Sequence, residues 1–296
     1  MTEQELLSLR QQKWHLDNRP VHTLEEAREF IDSVGFCLMY PLERQPLLVP
    51  TFIGAWVGRD DHLPVWQHAF TDPRAQSATE LMVRLLREKA AFEANLFGEN
   101  VFLVSASVFP FLYGLVGDRN PRQALKQGHR SGDSPLARDA FDALRQQGAM
   151  TKPRLREVLG REPSSAALDR ALAELGSRLL ITRVDYNPDE GGASWNTLFR
   201  WAPEVVREGI ELSVPAALSA LICKYLDCLV AAELTEVVEF LGHFVARSKV
   251  NEAVNALLAA RELSFVQVEN GSKLQVAPPR LPPVPSFRRD PPKAKP

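Results

Sequence analysis

Between residues 23 and 117 the hydrophobic positions change period several times, so helices and strands must alternate along this stretch. Thr23-Leu24-Glu25-Glu26 has the spacing of a capping box, with the Thr23 hydroxyl set to accept from the third-residue amide and Glu26 to reach back. Ala27, Phe30, Ile31 and Val34 then recur at helical spacing, which predicts a helix over about 24–34. Phe36 to Tyr40 is a continuous apolar run between Gly35 and Pro41 and predicts a buried strand. Residues 50–58 predict a short helix ended by Gly58. A longer helix is predicted over 78–96, with Leu81, Leu85, Ala91 and Phe92 on one face and Arg84, Arg87 and Glu88 on another. Asn100 to Ser105 predicts a strand, and Ala106 to Gly117 a very apolar helix with Pro110 in or near its first turn.

From residue 134 onward the pattern repeats itself at an offset of roughly 80 residues. The first copy predicts helix Pro135–Gln147, short helix Lys152–Leu159, and a third helix Ala166–Leu175 capped by Ser164 or Ser165. Two β runs follow, Leu179–Tyr186 and Ser194–Trp201, around the turn-rich Asn187 to Gly192. The second copy predicts helix Pro215–Ala231, short helix Glu236–Leu241 capped by Thr235, and a third helix Lys249–Leu263 capped by Ser248. Its β pair is Ser264–Val268 and Lys273–Val276, joined by Glu269-Asn270-Gly271. Three helices and a hairpin in this order are those of a winged helix, whose third helix commonly enters a DNA groove and whose hairpin is the wing. The expected fold class is therefore α+β: an N-terminal segment (1–22), a mixed domain (23–130), winged helices over 134–202 and 203–277, and a tail (278–296).

Composition narrows the function. Hydrophobic residues are 45% and charged residues 24%, as in ordinary globular chains, and the formal net charge of -2 rules out bulk-charge binding of polyanions. The tail holds eight of the 22 prolines and five basic residues against Asp290. It is expected to be extended and disordered, a route to a protein partner or a solubilising end. The expected compartment is the cytoplasm: Cys37, Cys223 and Cys228 are too scattered for a disulfide framework, the start of the chain is unlike a signal peptide, and no apolar run approaches a membrane span.

Candidate chemistry is concentrated in the repeat. A DNA-reading helix needs short polar side chains near its N-terminus, where amides face a phosphate, and long donors on its outer face. In the second copy Arg247, Ser248, Lys249, Asn251 and Asn255 meet that description, with Lys273 in the wing; in the first, Ser164, Ser165, Arg170, Arg178 and Arg183 do. Double-stranded DNA is the expected partner. Residues 203–277 nevertheless carry six basic and ten acidic side chains, so only one face of that unit can attract DNA. Cys223 and Cys228 lack partners at zinc spacing and are read as buried hydrophobes, and His62 and His68 beside Asp60, Asp61 and Asp72 are not taken as a metal site. No cofactor motif occurs. Trp56, Trp66, Phe70, Tyr113 and Trp201 are read as core rather than as a base-stacking set.

With this repeat in place the sequence resembles the AlkZ/YcaQ-type winged-helix DNA glycosylases, bacterial proteins of crosslink and alkylation repair. The residues carrying the likeness are Ile222 to Gly242, Arg247 to Leu263 and the Leu274 strand. In the first half they are Gly35-Phe36-Cys37, Tyr40-Pro41, Gly58-Arg59, Trp66, Leu85 to Lys89, Phe92 and Phe109 to Gly117. The resemblance implies hydrolysis of the N-glycosidic bond of an alkylated purine by two glutamines flanking an apolar residue. No two glutamines here have that spacing, and His-x-Gln and Gln-x-Asp are absent too, so no catalytic residue carries over. Three functions remain: a DNA-binding protein related to these enzymes, a docking scaffold, and a glycosylase with a rearranged site.

Overall fold

A computed structural model describes residues 1–42, 47–65, 67, 69, 71–97, 100–122, 134–160 and 163–278. Most of the glycine- and serine-rich boundary at 127–135, together with Trp66, His68, Phe70 and the tail beyond Pro278, lies outside the described residues. The chain opens with α1 (Glu3–Lys13), then α2 (Leu24–Val34), β1 (Phe36–Leu38), α3 (Phe52–Val57), α4 (Pro73–Arg87), β2 (Ala91–Phe97), β3 (Asn100–Ser105) and α5 (Phe109–Val116). Capping boxes start both α1 (Thr2 with Glu5) and α2 (Thr23 with Glu26). The strands form an antiparallel sheet in the order β1-β3-β2, with Phe36 opposite Val104 and Phe92 also opposite Val104.

One expectation fails here. The helix anticipated over 78–96 starts earlier, at Pro73 with Asp72 as its cap, and stops at Arg87. Lys89 takes a positive φ of 56°, turning the chain so that Ala91–Phe97 runs back as a strand on β3. Ala91 and Phe92 therefore point to opposite faces of the sheet: Ala91 still packs in the cluster of Leu81 and Leu85, while Phe92 joins Phe36 and Phe109 on the other side.

The second half comprises α6 (Pro135–Gln147), β4 (Met150–Thr151), α7 (Lys152–Val158), α8 (Ser165–Ser177), β5 (Ile181–Asn187), β6 (Gly192–Thr197) and α9 (Leu198–Trp201). Then come α10 (Pro203–Glu211), α11 (Val214–Leu229), α12 (Leu234–Leu241), α13 (Arg247–Ala259), β7 (Leu263–Val268) and β8 (Gly271–Val276). The fold class is α+β. Leu198–Trp201 is a helical turn, not the end of a strand, and α10 intervenes before the second group of helices. The two groups share a detail beyond element order. Met150, just before α7, pairs with Trp195 of β6, and Ala232, just before α12, pairs with Leu274 of β8.

The hydrophobic clusters do not follow the chain segments one to one. Phe36, Phe92, Phe102 and Phe109 share a cluster with Leu221, Tyr225, Phe240 and Leu257. Tyr225 stacks on Phe240 at 4.4 Å, and Phe240 on Phe36 at 5.1 Å. Each such ring contributes about 1.5–3 kcal/mol on burial, so the first sheet and the α11–α13 group are joined by a core and not by surface contact. Helices α5 and α10 cross at glycine: a Cβ on Gly209 would lie 2.9 Å from both the Pro110 carbonyl oxygen and the Tyr113 Cβ.

Candidate nucleic-acid interface

Helix α13 is held by Val250, Val254 and Leu257, all buried, and this fixes which residues face outward. Arg247, Ser248, Lys249, Asn251 and Asn255 are all exposed. Arg247 and Asn251 are one turn apart and line an open groove with Leu234, Thr235, Val238 and Glu239 of α12, with a volume of about 490 Å³. Ser248 is not the cap. Ala246 holds that position with no side-chain hydrogen bond, so the first amides of the helix have no side-chain acceptor and remain open to an anion. Lys249 is drawn aside by Glu252 at 2.9 Å, a solvent-exposed pair that a phosphate can displace. The start of α12 also differs from expectation: Glu233, not Thr235, is the cap, forming a reciprocal pair with Glu236.

Lys273 does not join this set. Its ammonium lies 3.4 Å from Glu3 and 3.6 Å from Glu233, and its side chain is only 12% exposed. In this structure its ammonium is engaged by two carboxylates, one on α1 and one at the start of α12, instead of standing open with the α13 side chains.

The first group divides in the same way. Ser164 caps α8 by accepting from the Ala167 amide at 3.3 Å, and Ser165 and Arg170 are exposed near the same helix end, Arg170 bonding back to the Ala166 carbonyl. The far end of α8 packs on β2, where a Cβ on Gly176 would lie 3.0 Å from the Asn95 side chain. Arg178 and Arg183 follow that packed end inward. Arg178 pairs with Asp118 at 3.2 Å. Arg183 pairs with Glu93 at 3.3 Å and lies over the Trp195 ring at 5.4 Å, so both leave the expected DNA surface for contacts with the first half of the chain.

Glu93 is the most buried carboxylate of the described residues, 6% exposed. Burial pushes its pKa up while the Arg183 guanidinium pulls it down. Thr182 ties the two edge strands together by donating to the Glu93 carbonyl at 3.0 Å. The contact between Glu93 and Arg183 is close but poorly aligned for a hydrogen bond, and the Trp195 indole nitrogen, the Asn196 side-chain oxygen and the Thr197 hydroxyl nearby along β6 have no partner. This is a buried polar seam, not an open active site.

Sequence reasoning missed the α12 wall of the groove. Thr235, Val238 and Glu239 recur one turn apart on the side of α12 opposite the buried Val237, Phe240 and Leu241, a spacing that was available to find them. It also missed the ammonium of Lys89 over the Trp201 ring at 4.7 Å. Cys228 is buried with its thiol pushed up to about 12 by desolvation, and Cys37 is likewise raised and inert. Among the described residues no group of three or more His, Cys, Asp or Glu could hold a metal ion. Asp72 is occupied as a helix cap and by Arg74, and Asp61 by Arg59. No single helix among the described residues is long and apolar enough to cross a membrane.

Residues 62–295 match the family model "DNA glycosylase AlkZ-like", and the chain belongs to that family. Among solved structures it is similar to the Streptomyces sahachiroi DNA glycosylase AlkZ, at 12% identity and a TM-score of 0.57, over 93% of this chain and 70% of that one. At that identity the likeness concerns the fold. No curated protein matches by sequence.

Proposed function

We propose that this protein binds duplex DNA through the second helix group, used as a winged helix, with α13 at the groove. Arg247, Ser248 and Lys249 contact the backbone at the helix N-terminus, and Asn251 and Asn255 face base edges. The observation that carries this reading is the exposure of all five side chains at and beyond an uncapped helix N-terminus. Family membership supports DNA as the partner. Ser164, Ser165 and Arg170 supply a second exposed set on α8, while Arg178, Arg183 and Lys273 serve packing.

The test is a fluorescence-anisotropy titration of the full chain against duplex DNA over a salt series, with and without alkylation. Arg247→Glu/Lys249→Glu is expected to weaken binding by about tenfold or more and to lower the salt slope by roughly 1 for each lost phosphate contact. Unchanged affinity and slope refute the assignment to α13.

The family match favours one further reading, a glycosylase that works without the paired glutamines. It requires abasic sites to appear in alkylated duplex at enzyme excess, and a lesion panel that yields none removes it.

A further inference from the structure

The two helix groups are attached to the first sheet in different ways. Leu221, Tyr225, Phe240 and Leu257 of the second group lie in one cluster with Phe36 and Phe102, a shared core that cannot part without exposing its rings to water. The first group closes a core of its own: the cluster of Phe141, Leu144, Leu155, Leu172 and Trp195 takes all its described members from residues 136–199. It enters the shared cluster through Leu179, Leu198 and Ala202, where the chain passes from β6 through α9 into α10.

Away from that root the contact surface is mostly polar. Arg87 of α4 pairs with Asp185 of β5 at 2.6 Å, Asp118 with Arg178 at 3.2 Å, and Glu93 of β2 with Arg183 at 3.3 Å. Tyr186 adds a partly buried ring against the α2–α4 cluster. The first two pairs are partly exposed, and such pairs hold weakly and less so at high salt. Glu93 Oε2 and Arg183 Nε are buried without a hydrogen bond, as is Asn196 Oδ1, whose strand partner Thr182 bonds across the seam to the Glu93 carbonyl. Parting the two surfaces gives these atoms water, so opening costs less here than at an apolar surface.

We propose that the first helix group opens from the rest of the chain as one body, pivoting at residues 198–202 and parting the seam of Arg87–Asp185, Asp118–Arg178 and Glu93–Arg183. The second group stays fixed to the sheet. The use of this motion, which rests on the DNA-binding reading above, is that Ser164, Ser165 and Arg170 on α8 change their distance from the α13 side chains, so that the chain closes on a duplex with one moving jaw.

The test is pulsed electron–electron resonance on the full chain without DNA, in a Cys223→Ala background that removes the one cysteine that is not buried. Spin labels are placed at exposed positions, Asp139→Cys on α6 with Glu29→Cys on α2, and Glu29→Cys with Ala256→Cys on α13 as the control. The first pair is expected to show a second, longer distance whose population grows about threefold between roughly 0.05 and 0.5 M salt. Asp118→Asn/Asp185→Asn should raise that population about fivefold at the lower salt. The control pair is expected to keep one narrow distance throughout. A single unchanging distance in the first pair, a population indifferent to salt or to the two substitutions, or equal broadening of the control pair overturns the proposal. With no DNA in the sample, a failure of the DNA-binding reading leaves an observed opening standing, and a fixed distance leaves the assignment to α13 untouched.

Discussion

The Arg10 guanidinium donates to the Leu229 carbonyl at 2.8 Å, joining residues 219 positions apart in the sequence. Its other arm donates to the Ala231 carbonyl, and the neighbouring Trp14 indole donates to Cys228 at 3.0 Å. A buried cation thus satisfies the free carbonyls at the C-terminal end of α11, where the helix dipole favours positive charge. Between Leu229 and Ala231, Val230 takes a positive φ of 67°, an unfavourable conformation for a β-branched residue that the bonds on either side hold in place.

Arg10→Met keeps the aliphatic stem but strands these carbonyls, and is expected to lower stability by about 3 kcal/mol. Urea unfolding followed by circular dichroism should show a lower midpoint at nearly unchanged slope. A midpoint equal to that of the wild type would mean that water replaces the guanidinium without loss.

Lys273→Ala tests whether the ammonium held by Glu3 and Glu233 also contacts DNA. Its two carboxylate partners are partly exposed, so the stability loss should be about 1 kcal/mol or less. DNA affinity measured at fixed salt should stay within twofold, whereas a tenfold loss would restore Lys273 to the DNA surface.

Gly209→Ala introduces a methyl where three neighbouring atoms, the Pro110 carbonyl oxygen and Cβ and Cδ1 of Tyr113, already stand at 2.9 Å. Helices α5 and α10 must move apart, at a cost of about 1–3 kcal/mol, readable as a fall in Tm. No change in Tm would show that the crossing accommodates the extra carbon.

Glu93 gives a signed pH dependence. Its folded pKa lies above the ordinary value of 4.5, so the folded state binds a proton that the unfolded state has released. Its contribution is fully present below pH 4.5 and is lost as pH rises through the folded value. The stability difference between wild type and Glu93→Gln should therefore favour the wild type most at low pH and decline upward from 4.5. A difference that is flat or grows with pH would contradict the burial effect.

The parts legible in the sequence were those whose causes are local. The Thr23–Glu26 box and the Ser164 cap stand where their spacing put them, because the donor and acceptor lie within one turn. The α4–β2 boundary was hidden because Ala91 and Phe92 fall by coincidence on the phase of Leu81 and Leu85, and because Lys89 adopts a left-handed turn without the glycine that would announce it. In the candidate site, the exposure of Arg247 to Asn255 followed from helical period. The withdrawal of Lys273 and Arg183 did not, since Glu3 and Glu93 reach them only through the tertiary fold.

The stacked rings of Phe36, Phe240 and Tyr225 bear on how such a chain can be inherited. A recombination event that joined residues 203–277 to a foreign N-terminal half would leave Phe240 and Tyr225 facing whatever side chains that half supplied, and a mismatch would open a void worth several kcal/mol. The exposed surface of α13 is free to drift one residue at a time, while the helices behind it can change hands only together with the sheet they are stacked on.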